Sequence, residues 1–198
     1  MQDLKSNVLV DCLAGANSVG RDIGWVVGFS LLTGLLAQIV IPLPWTPVPI
    51  TGQTFGVLLA GAVLGSRRGF LSQALYLAEG AMGLPVFAGG TFSFVHLVGP
   101  TAGYLWSYPL AAGLVGWLVE RGASRKVWQM AGALVLGDVF ILLAGTAWLS
   151  AFFHAAPLQA LVMGFYPFLI GDLLKIVLVG VTVPRLLATY SRPRQDAG

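Results

Sequence analysis

The sequence predicts an all-α membrane protein with six transmembrane helices and both termini in the cytoplasm. Three observations lead to this prediction: a composition suited to lipid, six apolar segments separated by turn-forming residues, and basic residues confined to alternate connections. None of the three is typical of a soluble globular domain.

The composition is far from that of a soluble protein. Of the 198 residues, 57% are hydrophobic and 10% are charged, and the mean hydropathy is +0.83. Soluble domains carry about 25% charged residues. Because each helical span needs roughly 17 to 25 residues, six spans would use nearly the whole chain. We therefore expect one six-helix membrane domain over residues 1–198 and no separate catalytic domain.

Six apolar segments stand between the turn-forming residues. The predicted spans lie at about 23–41, 54–65, 69–84, 101–119, 127–150 and 167–187. The second and third are short, so we expect them to be tilted or to stop short of one surface. Pro167 disfavours helix in the residue before it, which indicates a surface or re-entrant piece over 152–166. A single kinked helix is the alternative. The first apolar run is followed by no small-residue cleavage site and is predicted to be retained.

Basic residues mark alternate connections of the chain. Ten of the eleven Lys and Arg residues fall there, at Lys5, Arg21, Arg67, Arg68, Arg121, Arg125, Lys126, Arg185, Arg192 and Arg194. The connections 42–53, 85–100 and 151–157 contain none. Because Lys and Arg accumulate on the cytoplasmic side, the alternation predicts an even number of spans with both ends inside. It also accounts for the net charge of +3 without nucleic-acid binding.

The connections without basic residues are apolar and rich in Pro and Gly. Residues 41–50 read Ile-Pro-Leu-Pro-Trp-Thr-Pro-Val-Pro-Ile, and residues 84–91 read Leu-Pro-Val-Phe-Ala-Gly-Gly-Thr. Irregular backbone is tolerated near a bilayer only where it is buried in protein or lines a cavity. We therefore expect two ordered loops that enter the outer half of the bundle and cover a ligand.

Four ionisable residues fall inside predicted spans, namely Glu79, Asp138, Asp172 and Lys175. Each costs about 2.5 to 3.5 kcal/mol at a helix centre and needs a partner, a cavity or a role. Asp172 and Lys175 share one helical face. They form either a structural ion pair or part of a pocket wall, in which the Lys175 ammonium meets a ligand carboxylate. Glu79 has a pocket role or a local partner, and Asp138 is expected to hydrogen-bond between helices.

Several further residues have alternative interpretations. Gln53 lies beside Thr51 at a helix start, so it either belongs to a capped terminus or offers its amide to a polar ligand ring. Small residues recur at four-residue spacing in Gly24-x3-Gly28 and Ser30-x3-Gly34. They allow close helix packing, either within the chain or onto a partner subunit. His96 and His154 have no ligand-spaced neighbours, so no metal site is expected. Cys12, as the single cysteine, forms no internal disulfide.

Four sequence runs together resemble the BioY family, the biotin-binding S-components of energy-coupling factor (ECF) transporters. They are residues 41–54, residues 83–90, Gly-Pro-Thr-Ala-Gly-Tyr at 99–104, and Gly-Asp-Leu-Leu-Lys at 171–175. The resemblance covers about residues 25–188. It implies an S-component-like six-helix fold and a biotin pocket near the outer surface, capped by the loops after the first and third spans.

The resemblance also implies the pocket residues. By motif position these are Gln53, Gly89, Gly90, Thr91, Tyr104, Asp172 and Lys175. The bicyclic thioether ring of biotin suits aromatic walls such as Trp45, Tyr76, Phe87 and Tyr104. The ureido ring of biotin suits Asp172 with Gln53 or Thr91, and its carboxylate suits a cation. Some family members carry Arg where this chain has Leu105, which places more weight on Lys175 for that carboxylate.

The resemblance implies biotin uptake across the cytoplasmic membrane. In the favoured hypothesis a transmembrane coupling subunit and two ATPase subunits energise the chain, which needs no cofactor and has no G-x4-G-K-[ST] loop of its own. Transport of biotin by this chain without those partners is an alternative. An intramembrane enzyme using Asp138, Asp172 or Glu79 is a further alternative, but no G-x-S-x-G or H-E-x-x-H motif supports it.

Overall fold

A computed structural model describes residues 7–14 and 18–190 as a bundle of α-helices with one short hairpin. The helices are α1 (Leu9–Ala14), α2 (Val19–Leu36), α3 (Gln53–Leu64), α4 (Ser66–Ala81), α5 (Ala102–Glu120), α6 (Val127–Phe153), α7 (Pro157–Gly164) and α8 (Leu169–Tyr190). The hairpin consists of β1 (Val40–Ile41) and β2 (Ile50–Thr51), and short 3-10 turns cover Ala88–Gly90, Phe94–Leu97 and Ala123–Arg125. The described chain is therefore mostly helical, as expected.

The predicted position of the outer end of the first span is wrong. Helix α2 ends at Leu36 and not at residue 41, because residues 40–41 pair in the antiparallel hairpin with residues 50–51. The amide of Gly52 donates to the carbonyl of Ile39 at 3.2 Å and closes this hairpin at its base. The Pro-rich stretch between the strands has few amide donors with which to continue a helix. The short helix α1 was not predicted at all.

The last apolar segment is divided into two helices. Helix α7 ends at Gly164 and α8 begins at Leu169, and the two axes bend by 52° across the break. Pro167 lies in that break, where its missing amide removes a helical hydrogen bond. The break turns residue 168 toward the centre of the bundle, where Phe168 is buried.

The outside of the bundle is apolar. Large hydrophobic side chains such as Leu31, Leu136 and Ile170 are exposed, the last at 85%, whereas soluble monomers rarely expose extended apolar surface. Judged by length and composition, α2 and α6 among the described helices are able to cross a membrane, and the bent pair α7 and α8 is a third if counted as one span. Helix α3, with 12 residues, is a shorter apolar helix.

The described chain ends and the basic connections lie at one end of the bundle. Arg68 pairs with Asp11 of α1 at 2.7 Å, and the Arg125 guanidinium donates to the Asn7 side chain at 2.8 Å. Helix α1 also packs against the last turns of α8, where Leu187 is buried with it. Lys5, Arg192 and Arg194, which belong to the predicted basic pattern, lie outside the described residues.

Candidate ligand-binding cavity

A cavity of about 220 Å³ lies at the opposite end of the bundle, beneath the two Pro- and Gly-rich loops. One water molecule needs about 10 to 15 Å³ of such space, so the volume suits a small organic molecule. The cavity is lined by Pro47, Val48, Pro49, Thr51, Gln53, Thr54, Phe87, Ala88, Thr91, His96, Thr101, Tyr104, Leu105, Tyr108, Leu142, Phe168 and Lys175. Most of these walls are apolar, with polar groups at a few positions, which is the usual character of a small-molecule site.

Both loops are held in place by hydrogen bonds to the helices. In the loop between α4 and α5, the indole N–H of Trp106 donates to the carbonyl of Leu97, and that of Trp148 donates to Gly99, each at 2.9 Å. Phe87 from the same loop packs so closely on Gly80 of α4 that a side chain at residue 80 would overlap its ring. The loops are thus an ordered cover over the cavity, as their composition predicts.

One wall of the cavity is organised by Lys175. Its ammonium donates to the Thr51 carbonyl at 2.9 Å, to Thr54 Oγ1 at 2.6 Å and to Asp172 Oδ1 at 2.8 Å. An ammonium has three N–H donors, so all of them are engaged. Asp172 is 2% exposed, and its second oxygen, Oδ2, is buried without a protein hydrogen-bond partner among the described residues.

A chain of contacts runs from Gln53 along a second wall. The Gln53 amide Nε2 donates to the Tyr76 hydroxyl at 2.6 Å, and its Oε1 accepts from Thr51 Oγ1 at 2.9 Å. The Tyr76 ring meets the edge of Phe87 with centroids 5.6 Å apart, and Phe87 meets the ring of His96 at 5.8 Å. The amide and the imidazole are therefore linked through the contacts of two aromatic rings.

Tyr104 connects the cavity to the break between α7 and α8. Its hydroxyl donates to the Gly164 carbonyl at 2.6 Å, and its ring lies 6.2 Å from that of Phe168. Gly145 of α6 leaves room for the Tyr104 ring, which a side chain at residue 145 would overlap. The third wall is thus built from α5, α6 and the break.

Comparison with known proteins identifies the family. The model of the BioY family matches residues 7–192 of this chain. The chain belongs to the BioY family. The match takes in both loops, the cavity and the Asp172–Lys175 pair, so the resemblance stated from the four sequence runs is confirmed.

Individual relatives support the same assignment. The "Probable biotin transporter BioY" of Pyrococcus horikoshii is 37% identical over 84% of this chain and 96% of its own length. The "Biotin transporter BioY" of Thermotoga maritima is 40% identical over 74% of this chain and 85% of its own, and that of Rhodobacter capsulatus is 40% identical over 80% and 92%.

A solved structure has the same fold. It is described as the S-component for biotin from an ECF-type ABC transporter, and it superposes with a TM-score of 0.79 at 27% sequence identity. The match covers 89% of this chain and 100% of that chain. The BioY chain described here therefore has an S-component fold.

The structure places the predicted site residues in three groups. Gln53, Phe87, Thr91, Tyr104 and Lys175 line the cavity. Tyr76 and Asp172 lie one layer behind it, where they hydrogen-bond to the lining residues. Gly89 and Gly90 adopt φ of +66° and +75° in the turn that presents Ala88 and Thr91. This left-handed backbone conformation is one that glycine adopts readily. Trp45 is 58% exposed and does not line the cavity, so its predicted wall position is wrong.

Sequence reasoning missed part of the BioY cavity. Thr54, His96, Tyr108 and Phe168 all line it. Tyr108 lies one helical turn after Tyr104 on the same face of α5, a spacing that signals a shared wall. His96 and Phe168 come from irregular segments, where sequence spacing gives no face. In the described residues no cluster of His, Cys, Asp and Glu is able to hold a metal ion.

Glu79 and Asp138 do not line the cavity. Glu79 is 7% exposed, and its Oε1 accepts a hydrogen bond from Ser30 Oγ of α2 at 3.0 Å. Asp138 is 3% exposed on α6 and was expected to hydrogen-bond between helices; its Oδ1 is buried without a hydrogen-bond partner among the described residues. Of the two interpretations of Glu79, the local partner is the one that this geometry favours.

The small residues of α2 divide between two faces. Ser30 and Gly34 face the bundle, where Ser30 bonds to Glu79 and a Cβ at residue 34 would lie 3.1 Å from Val86. A Cβ added at Gly24 or Gly28 would meet no atom within 4 Å. Internal packing therefore fits Ser30 and Gly34, whereas Gly24 and Gly28 are open to a partner.

Proposed function

We propose that this chain captures biotin and takes part in its uptake across the cytoplasmic membrane as the substrate-binding subunit of an ECF-type transporter. The observation that supports this most is the loop-covered cavity within an S-component fold, since the superposed S-component is one for biotin. The relatives are named as transporters and not as enzymes, which agrees with the lack of catalytic motifs.

The cavity suits the chemistry of biotin. The ureido ring offers two N–H donors and one carbonyl acceptor, which complement the side chains around Gln53, Thr91 and the Asp172–Lys175 pair. The thioether ring and the aliphatic chain suit apolar walls such as Phe87, Tyr104 and Phe168. Desolvated polar groups that match a ligand set its orientation, while apolar walls supply most of the buried area.

The proposed substrate-binding set has two roles. Gln53, Phe87, Thr91, Tyr104 and Lys175 would touch the ligand, because they line the cavity. Tyr76, Gly89, Gly90 and Asp172 would hold those residues in place. Asp172 fixes both Lys175 and Thr54 through Oδ1, at 2.8 and 3.1 Å. Loss of Asp172 is expected to disorder the wall on which the polar ring docks.

For the membrane topology we propose six spans in one domain, with both termini in the cytoplasm. The basic connections and the described chain ends share one end of the bundle, and the cavity opens toward the other. Because basic connections remain cytoplasmic, the cavity would face outward. This arrangement suits a protein that captures its ligand outside the cell.

For the partners we propose a transmembrane coupling subunit and two ATPase subunits, which would hydrolyse the ATP. The ECF-type transporter from which the superposed S-component comes favours this over transport by the chain alone. Within α2, the open face at Gly24 and Gly28, with Ser30 and Gly34 packing behind it, is the proposed docking surface. Two glycines one turn apart let a second helix approach closely.

The proposal is tested first by equilibrium binding of biotin to the purified chain in nanodiscs. Wild type is expected to bind tightly, and Asp172→Asn and Lys175→Ala are each expected to weaken binding at least about tenfold, the value of one charge-assisted hydrogen bond. Lys126→Ala, an exposed change at the opposite end, is the matched control. Absence of binding by folded wild-type protein would contradict the substrate assignment.

Partner dependence is tested by uptake of labelled biotin into cells that express this chain alone or with the coupling and ATPase subunits. Uptake only in the second strain is expected if the chain is an S-component that needs external energy. Equal uptake in both strains would instead establish transport by the chain alone, and would leave the biotin assignment standing.

A further inference from the structure

The cavity contains two side chains able to carry positive charge. Among the described lining residues these are Lys175 from α8 and His96 from the Phe94–Leu97 turn, and no Arg, Asp or Glu is present. Leu105 is an apolar part of the wall. An anionic group of a ligand in this cavity would therefore meet one of these two side chains.

Lys175 has no donor left for such a group. Its three N–H groups are engaged by Thr51, Thr54 and Asp172 at 2.6 to 2.9 Å. An incoming carboxylate would have to displace one of these partners. Displacement of Asp172 would remove the counter-charge of that 2%-exposed carboxylate, whose Oδ2 already has no partner among the described residues and whose Oδ1 would keep only Thr54. Unpaired buried charge is strongly unfavourable.

His96 is free to bind. Among the described residues its imidazole makes no hydrogen bond, and its recorded ring contact is the edge of Phe87 at 5.8 Å. The side chain is half-buried in the cavity wall. An imidazole carries an N–H donor in either protonation state and is able to present it to an anion.

Gln53 and His96 lie at the two ends of one chain of contacts in the cavity wall. Gln53 hydrogen-bonds to Tyr76, the Tyr76 ring meets Phe87, and Phe87 meets the His96 ring. In biotin the ureido ring and the carboxylate lie at opposite ends, with apolar atoms between them. A ureido ring held at Gln53 would direct the tail past Phe87 toward His96.

We propose that His96, and not Lys175, receives the tail carboxylate of the ligand and selects for an acid over its neutral amide. This inference rests on the proposed biotin function and identifies a specificity residue within that site. Lys175 then keeps its three protein partners and belongs to the polar-ring end.

The other groups of the cavity leave His96 without a competing negative charge. They include the uncharged Gln53 and Thr54 from α3, Tyr104 and Tyr108 from α5, and the ammonium of Lys175 from α8. No carboxylate is among the described lining residues. The ligand therefore supplies the negative charge that the N–H of His96 would meet.

The test measures the affinities of wild type, His96→Gln, His96→Arg and Lys175→Met for biotin and for biotinamide, whose tail is uncharged. His96→Gln is expected to lose about tenfold for biotin and nothing for biotinamide. His96→Arg is expected to retain the preference for the acid, because a guanidinium also presents N–H donors to a carboxylate. His154→Asn, a change at an exposed loop histidine, serves as the matched control.

Three other outcomes would contradict, in turn, the role of His96, the role of Lys175 and the proposed substrate. Equal loss for both ligands in His96→Gln would make His96 a wall residue and overturn the inference. Loss of acid preference in Lys175→Met but not in His96→Gln would assign the carboxylate to Lys175. Binding of neither ligand by wild type would overturn the proposed function itself, so the two failures are distinguishable.

Discussion

At the scale of single residues, the Tyr104 wall depends on small residues that leave room for its ring. Gly145→Ala would place a methyl group on that ring and strain the hydrogen bond to Gly164. Overpacking of this kind costs about 1 to 3 kcal/mol, so thermal unfolding should occur at lower temperature and biotin binding should weaken.

Gly132→Ala is the matched control for that change. Gly132 lies in the same helix, and a Cβ there would meet no atom within 4 Å. Alanine is favoured over glycine in a helix by about 1 kcal/mol, so stability should stay equal or rise while binding is unchanged. Equal effects of the two changes would show that Tyr104 does not depend on the space at Gly145.

The predictability of the site differs from residue to residue. Gln53 and Lys175 were found from the sequence because a polar group in an apolar segment needs a reason to be there. His96 carries no such signal, since a histidine in a loop is unremarkable until the loop folds over a cavity. Phe168 was missed because its direction depends on the break before α8. Trp45 was misplaced because a Pro-rich segment has no period from which to assign a face.

At the scale of elements, the sequence predicts interiors better than ends. The apolar interiors of α3, α5 and α6 follow the predicted segments, because lipid and core both select apolar residues along their length. The end of α2 does not follow the predicted segment, because the apolar run continues past the helix into the extended strand β1. Helix α1 was missed since six residues give too little periodicity, although Val10 is buried at 2% exposure.

The exposed face of α2 gives an element-scale prediction. Gly24→Leu and Gly28→Leu should leave biotin binding by the isolated chain unchanged, because a side chain there meets no atom of this chain within 4 Å. The same changes should abolish or strongly reduce uptake driven by the coupling and ATPase subunits, because they keep a partner helix at a distance.

Gly132→Leu provides the control for the docking surface. That glycine is also open on the outside of the described chain, but on α6 and not on α2. Normal uptake with Gly132→Leu and lost uptake with Gly24→Leu would locate the contact on α2. Normal uptake in all variants would remove α2 as the docking element.

At the scale of the whole molecule, the distribution of charge predicts how the bundle sits in the membrane. The single cysteine, Cys12, is replaced by Ser, and one new cysteine is introduced at exposed Lys126 or at exposed Phe92. An impermeant thiol reagent added to intact cells should label Phe92→Cys only. Lys126→Cys should react only after the membrane is opened. The reverse pattern would invert the proposed orientation.

The ammonium contact between Lys175 and the Thr51 carbonyl joins residues 124 positions apart in the chain. Contacts of such separation form late in folding, and a chain made from its N-terminus places its first helices in the membrane before α8 exists. During synthesis the hairpin therefore has no ammonium to hold its carbonyl, and the wall below it is incomplete. Competence to hold a ligand would arise in one step, when the last helix inserts, so that a chain interrupted before that point would remain in the membrane without capturing substrate.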